Sequence, residues 1–127
     1  MSGVVVDIPA DGGGFATLIA MSEGTTSLYL STGGGVIGAG QHPSVGAANR
    51  ELRQTAQATL PSLSESSARA HPPAGFARIF VLTPAGRRAV DVADADFWCR
   101  SGTPPSELIV AIQRVITAVH QTGPLTG

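Results

Sequence analysis

The residues of this chain that could do chemistry are few, and they fall in three places. The first is the run Gly33-Gly34-Gly35-Val36-Ile37-Gly38, with Gly40 and His42 close behind it. The run matches G-x-G-x-x-G, in which backbone N–H groups approach a pyrophosphate at a helix N-terminus. Any glycine-rich run gives the same match, however. The expected helix begins at Pro43, too late for the third glycine to open it. The preceding strand closes a hairpin rather than starting a βαβ unit, so a dinucleotide is not expected. A site here would take the form of a small anionic ligand held by Gly33, Gly34, Gly35, Gly38, Gly40 and His42. The plainer reading is a flexible loop with His42 beside a helix cap. A P-loop needs a lysine, and the chain has none.

The second place is Cys99, in Phe97-Trp98-Cys99-Arg100. A thiolate nucleophile needs a neighbour that lowers its pKa. The histidines, His42, His71 and His120, all lie far off in sequence. A small apolar residue packed beside two aromatics is the simpler account. The third place is Asp91, Asp94 and Asp96. Paired carboxylates can hold a hard cation, but this spacing lacks the glycine and the terminal glutamate of a calcium loop. A charged strand edge that discourages further pairing explains them. No catalytic residue, no metal site and no cofactor is expected.

Composition narrows the class. With 127 residues the chain has the length of one domain, and 43% of it is apolar. Only 13% is charged, against roughly 25% in an average chain. A surface built largely from Ser, Thr, Gln, Ala and Gly repels its neighbours weakly, which favours self-association. The net charge is −1, and the one adjacent basic pair is Arg87-Arg88. Nucleic acid binding needs clustered cations, so it is not expected. Arg87 and Arg88 read as a solvated strand end. One cysteine allows no internal disulfide. The N-terminus lacks the basic leader and long apolar run of a signal peptide, and no stretch approaches a membrane span. The expectation is a cytoplasmic protein without membrane contact.

The elements that would position these residues follow from periodicity. Residues 1–14 read as a flexible arm, in which Val4–Val6 could add an edge strand before Pro9 and the run Asp11-Gly12-Gly13-Gly14. Residues 15–21 and 26–31 form a hairpin, the second strand alternating Leu28 and Leu30 with Ser27, Tyr29 and Ser31. A helix follows from Pro43, with Val45, Ala48, Leu52, Ala56 and Leu60 on one stripe. Residues 61–75 read as a mobile loop, long for a domain of this size. Residues 76–82 and 88–92 form a second hairpin around Pro84-Ala85-Gly86. A last helix spans about 104–121, with Thr103 as its expected cap. The expected core is Leu28, Leu30, Leu52, Ile79, Val81, Leu108, Ile112 and Val115.

The class is therefore α+β: an antiparallel sheet of two hairpins with two helices packed on it. The order is β-β-α-β-β-α, with room for one more N-terminal strand, and residues 15–127 form a single domain. Over residues 14–121 this order of elements resembles the roadblock/LC7 and longin-type small domains. The resemblance is one of element order, without the first helix of the roadblock arrangement. It implies a non-enzymatic, dimerising scaffold. The last helix supports that reading, because its apolar arc covers about half its circumference at 100° per residue. One sheet face would leave the row Ile109, Ile112 and Ile116 for a partner, and a two-fold homodimer is the simplest cover. The leading expectation is a binding or assembly domain acting as a homodimer. The alternative is a ligand-binding or enzymatic domain built on the loop 33–40 and His42.

Overall fold

Val4, Val6 and Ile8 alternate with Val5, Asp7 and Pro9 along the first strand of the chain. In the computed structural model, which describes residues 2–9, 14–30, 35–36, 42–65, 75–98 and 106–121, this segment is β1 (Gly3–Pro9). It pairs antiparallel with β2 (Phe15–Met21) on one side and with β6 (Phe76–Thr83) on the other. The segment expected to be an arm is thus an inner strand, with Val4, Val6 and Ile8 buried. Pro9 ends the strand instead of breaking it, at a position where the missing N–H removes no interior ladder bond.

Around β1 the sheet extends both ways. β3 (Thr26–Leu30) follows β2, and β4 (Gly35–Val36) pairs with β3. On the other side β7 (Gly86–Ala93) follows β6, and β5 (Ser64–Glu65) closes that edge. The order is β4-β3-β2-β1-β6-β7-β5, antiparallel at every pairing. The two expected hairpins are both present. The turn between β2 and β3 needs Gly24, whose φ of 105° a side chain would strain. At Gly3 the constraint is space: a Cβ there would meet Met21 Sδ at 2.6 Å and the Ala20 carbonyl oxygen at 2.9 Å.

Part of the stretch 61–75 is regular structure. Leu60–Ser62 forms a 3-10 turn, and β5 lies against Ala89 and Arg88 of β7. The Arg88 guanidinium donates to the carbonyls of Leu60 (3.1 Å) and Leu63 (3.4 Å). Arg88 therefore fastens this connection instead of ending a strand in solvent. Residues 66–74 lie outside the described residues.

The helices are α1 (Pro43–Thr59), the single-turn α2 (Asp94–Phe97) and α3 (Glu107–Gln121). The apolar stripe of α1 faces inward: Val45, Leu52 and Ala56 are buried, and Ala48 and Leu60 partly so. For α3 the cap is Ser106, whose hydroxyl accepts from the Ile109 N–H at 3.3 Å. Thr103, the expected cap, lies outside the described residues. Both long helices cover one face of the sheet, formed by Val4, Val6 and Ile8 with Leu18, Leu28, Ile79 and Val81. Of the expected core residues, Leu30 alone is only half-buried. Phe97, from α2, fills the same core, and its carbonyl accepts from Gln113 of α3 at 2.8 Å.

One polar residue sits inside this layer. Asn49 of α1 is fully buried, and its Nδ2 donates to Thr26 Oγ1 at 2.7 Å, with the carbonyls of Met21 and Thr25 at 3.4 and 3.3 Å. Its Oδ1 accepts from Arg53 Nε at 2.7 Å. Asn49 so pins the β2–β3 turn to the helix. Replacing Ile112 by Ala should cost about 2–5 kcal/mol, since the loss of three carbons opens a hole in an enclosed site. Asn49→Ala should cost about 1–3 kcal/mol by removing the buried donor that serves the Thr26 hydroxyl and the turn carbonyls, although that hydroxyl keeps its own bond to the Gly24 carbonyl. Urea unfolding of both variants measures these losses, and a loss near zero at either site would contradict its placement.

Candidate functional site

Successive side chains of a strand point to opposite faces. The face turned away from the helices therefore carries Val5 and Asp7 of β1, Thr17, Ile19 and Met21 of β2, and Tyr29 of β3. On β6 and β7 it carries Phe76, Arg78, Phe80 and Leu82, then Arg87, Ala89 and Asp91. The strand register aligns these residues in rows. One row runs Tyr29, Thr17, Asp7, Arg78, Asp91 across five strands. The next runs Ser27, Ile19, Val5, Phe80, Ala89. None of the described helices packs on this face. Of the three large apolar residues exposed among the described ones, Tyr29 and Phe76 belong to it, and the third is Trp98.

The polar row is internally bonded. Thr17 Oγ1 donates to Asp7 Oδ1 at 2.8 Å. The Arg78 guanidinium grips Asp91 through two bonds, Nε to Oδ1 at 2.6 Å and a terminal nitrogen to Oδ2 at 3.0 Å. The hydrogen bond from Arg78 holds the Asp91 carboxyl below its usual range, against a smaller opposing effect of burial. Arg78 is in turn pushed above its usual value, first by that hydrogen bond and further by the charges of Asp91 and Asp7. Beside the row, the Arg87 guanidinium lies 5.7 Å from the centre of the Phe80 ring, a cation–π contact. The face thus combines an ion-paired centre with half-buried Val5, Ile19, Met21 and Leu82.

The residues singled out by chemistry do not gather here. Gly33, Gly34, Gly38 and Gly40 lie outside the described residues, and Gly35 belongs to β4, opposite Tyr29. His42 is exposed at the N-cap position of α1, with no side-chain bond to the helix. Cys99 lies outside the described residues. Asp91 is ion-paired within the sheet, and Asp94 and Asp96 form the first turn of α2. Among the described residues no group of three His, Cys, Asp or Glu could hold a metal ion.

The expected interface row is corrected. Ile109, Ile112 and Ile116 are buried within the single chain, at 7%, 0% and 6% exposure. The expectation assumed that the sheet alone covers α3. In the structure α1 packs along α3 as well, and Arg114 of α3 is ion-paired to Glu51 of α1. A wide apolar arc is what a helix between a sheet and a second helix requires. A carboxylate at Ile109 or Ile116 would enter the core, not a subunit interface.

A cleft of about 330 Å³ opens on the helix side, between β7 and the start of α3. Among the described residues its walls include Leu63, Val90, Val92 and Leu108, with Glu107 as the one charged residue.

No family model, curated protein or solved structure matches this chain. Among the described residues no helix is long and apolar enough to cross a membrane.

The Asp91–Arg78 pair carries a pH signature. A carboxyl held below its ordinary value lends stability above that value, about 3.9, and loses it as pH falls through the lowered folded value. Asp91→Asn should therefore cost at most about 1 kcal/mol at pH 7, because the pair is partly solvated. The gap between wild type and variant should close below about pH 3.9. Melting curves from pH 2 to 8 give the comparison; a gap that persists in acid would show that Asp91 acts through something other than its charge.

Proposed function

We propose that this chain is a non-enzymatic binding or assembly domain that acts as a homodimer, with the open sheet face as its contact surface. The observation that carries the reading is the composition of that face. A two-layer domain that covers one side of its sheet leaves the other to water, and such faces are normally lined with polar residues. Here the uncovered side offers half-buried Val5, Ile19, Met21 and Leu82, with Tyr29 and Phe76 more than a third exposed. Contiguous apolar surface of this kind marks contact sites. The weakly charged composition acts in the same direction, since little net repulsion opposes association.

Sheet-on-sheet packing is the natural mode for such a surface, the two faces lying about 10 Å apart with interleaved side chains. Sedimentation velocity at micromolar to millimolar concentration is the test. A dimer is expected, and Ile19→Arg should convert it to a folded monomer whose melting temperature no longer depends on protein concentration, because Ile19 projects from the sheet and not into the core. A wild-type protein that stays monomeric across that range would rule the reading out.

A further inference from the structure

The helix-side cleft lies on the other side of the sheet from the proposed contact face and plays no part in that reading. Three of its apolar wall residues, Leu63, Val90 and Val92, are only half-buried and leave surface for a ligand. The concave surface does not end at Glu107. A second hollow, of about 290 Å³ between α1 and α3, shares that residue, with Thr55 and Val110 beside it. The other charged residues described there, Glu51 and Arg114, are paired with each other. Glu107 is exposed, and among the described residues its carboxylate has no ion-pair or hydrogen-bond partner. An apolar trough and an unpaired anion thus stand side by side.

We infer that this cleft binds a small organic cation, a primary ammonium on an unbranched apolar chain. The chain lies along Leu63, Val90 and Val92, and the ammonium meets the Glu107 carboxylate. Small-molecule sites are mostly apolar, with a few polar groups that fix orientation, and Glu107 is the one charged group placed to do so here. It selects the sign of the head group. An anionic head on the same chain meets like charge, and a neutral head forgoes the charge-assisted hydrogen bond. The positive end of α3 offsets only about half a charge, so the rim stays negative.

Two further points fit this assignment. The volume of about 330 Å³ stands at the lower end of small-molecule sites, which suits a chain of roughly six carbons. The hollow beyond Glu107 leaves the far side of the head group to water. The ammonium therefore pairs with the carboxylate without being fully desolvated, and full desolvation is what makes buried ion pairs costly. Affinity comes chiefly from the apolar chain, and discrimination between head groups from Glu107.

Three probes of equal chain length test the site: hexylammonium, hexan-1-ol and hexanoate. Each is titrated into the isotope-labelled protein at pH 7 and constant ionic strength, and the backbone amide shifts are followed. Hexylammonium should give saturating shifts at Val90, Val92 and Glu107 to Ile109, with a Kd on the order of 1 mM for so small a ligand. Hexan-1-ol should bind more weakly, and hexanoate more weakly still. Glu107→Gln should weaken hexylammonium about fivefold, the upper end for an ion pair at a surface, and leave hexan-1-ol unchanged. Glu107 is exposed, so the variant keeps its fold, and its amide spectrum shows this directly. Hexan-1-ol binding as tightly as hexylammonium, or an ammonium affinity unchanged by Glu107→Gln, overturns the cation. Shifts that do not saturate, or that scatter over the chain, overturn the site. A monomeric wild type removes the homodimer reading and leaves this site standing, because the two lie on opposite sides of the sheet.

Discussion

Everything in this fold hangs on β1 being paired along both of its edges. The β2–β3 hairpin and the β6–β7 hairpin have no direct pairing with each other. Only Gly3–Pro9 joins them, through antiparallel registers on either side. A seven-residue strand at the start of the chain thus converts two marginal hairpins into one sheet, and isolated hairpins are barely stable in water. The close approach of Gly3 to β2 belongs to the same constraint, because the strand must sit flush against Met21 and Ala20.

Once the sheet is continuous, its helix-facing side chains form one apolar floor, and the two long helices share it. α1 bridges to β1, β2 and β3, while α3 lies along α1. The resulting layer has little polar content, and the exceptions do specific work. Asn49 satisfies the tight β2–β3 turn from within the helix layer, and Arg88 ties the 3-10 turn after α1 to β7. Each replaces solvent for backbone or hydroxyl groups that the packing has covered, which is the condition for burying them.

The opposite side of the sheet follows from the same economy of elements. With both long helices on one face, the other is left to its own side chains. Its ion-paired row steadies the strands laterally, as Arg78 and Asp91 sit directly opposite on neighbouring strands and cross-strand pairs of opposite charge favour pairing. The apolar rows beside it have no such partner within the described helices.

Local periodicity in the sequence was enough to determine the α+β class, both hairpins, the start and inward face of α1 and most of the core, because each depends on residues a few positions apart. The stripe Val45, Leu52, Ala56 repeats every helical turn, and Leu28 with Tyr29 alternates at the strand period, whatever they later touch. What the sequence left open were contacts between distant segments. Val4, Val6 and Ile8 alternate as clearly as any strand, but alternation does not say whether a strand lies at an edge or in the middle, and the nearby Pro9 and glycines suggested an arm. The apolar arc of α3 was visible, yet whether a second helix or a second chain covers Ile109 and Ile116 depends on where α1 lands. Helical spacing does not mark Asn49 as buried, since its partners lie in the β2–β3 turn, and Asp91 reads as part of an acidic edge until register sets it opposite Arg78. Tertiary structure decided these points, because burial and ion pairing are properties of neighbours in space: Asp91 lies 13 positions from Arg78 along the chain, and Asn49 lies 24 from Thr25.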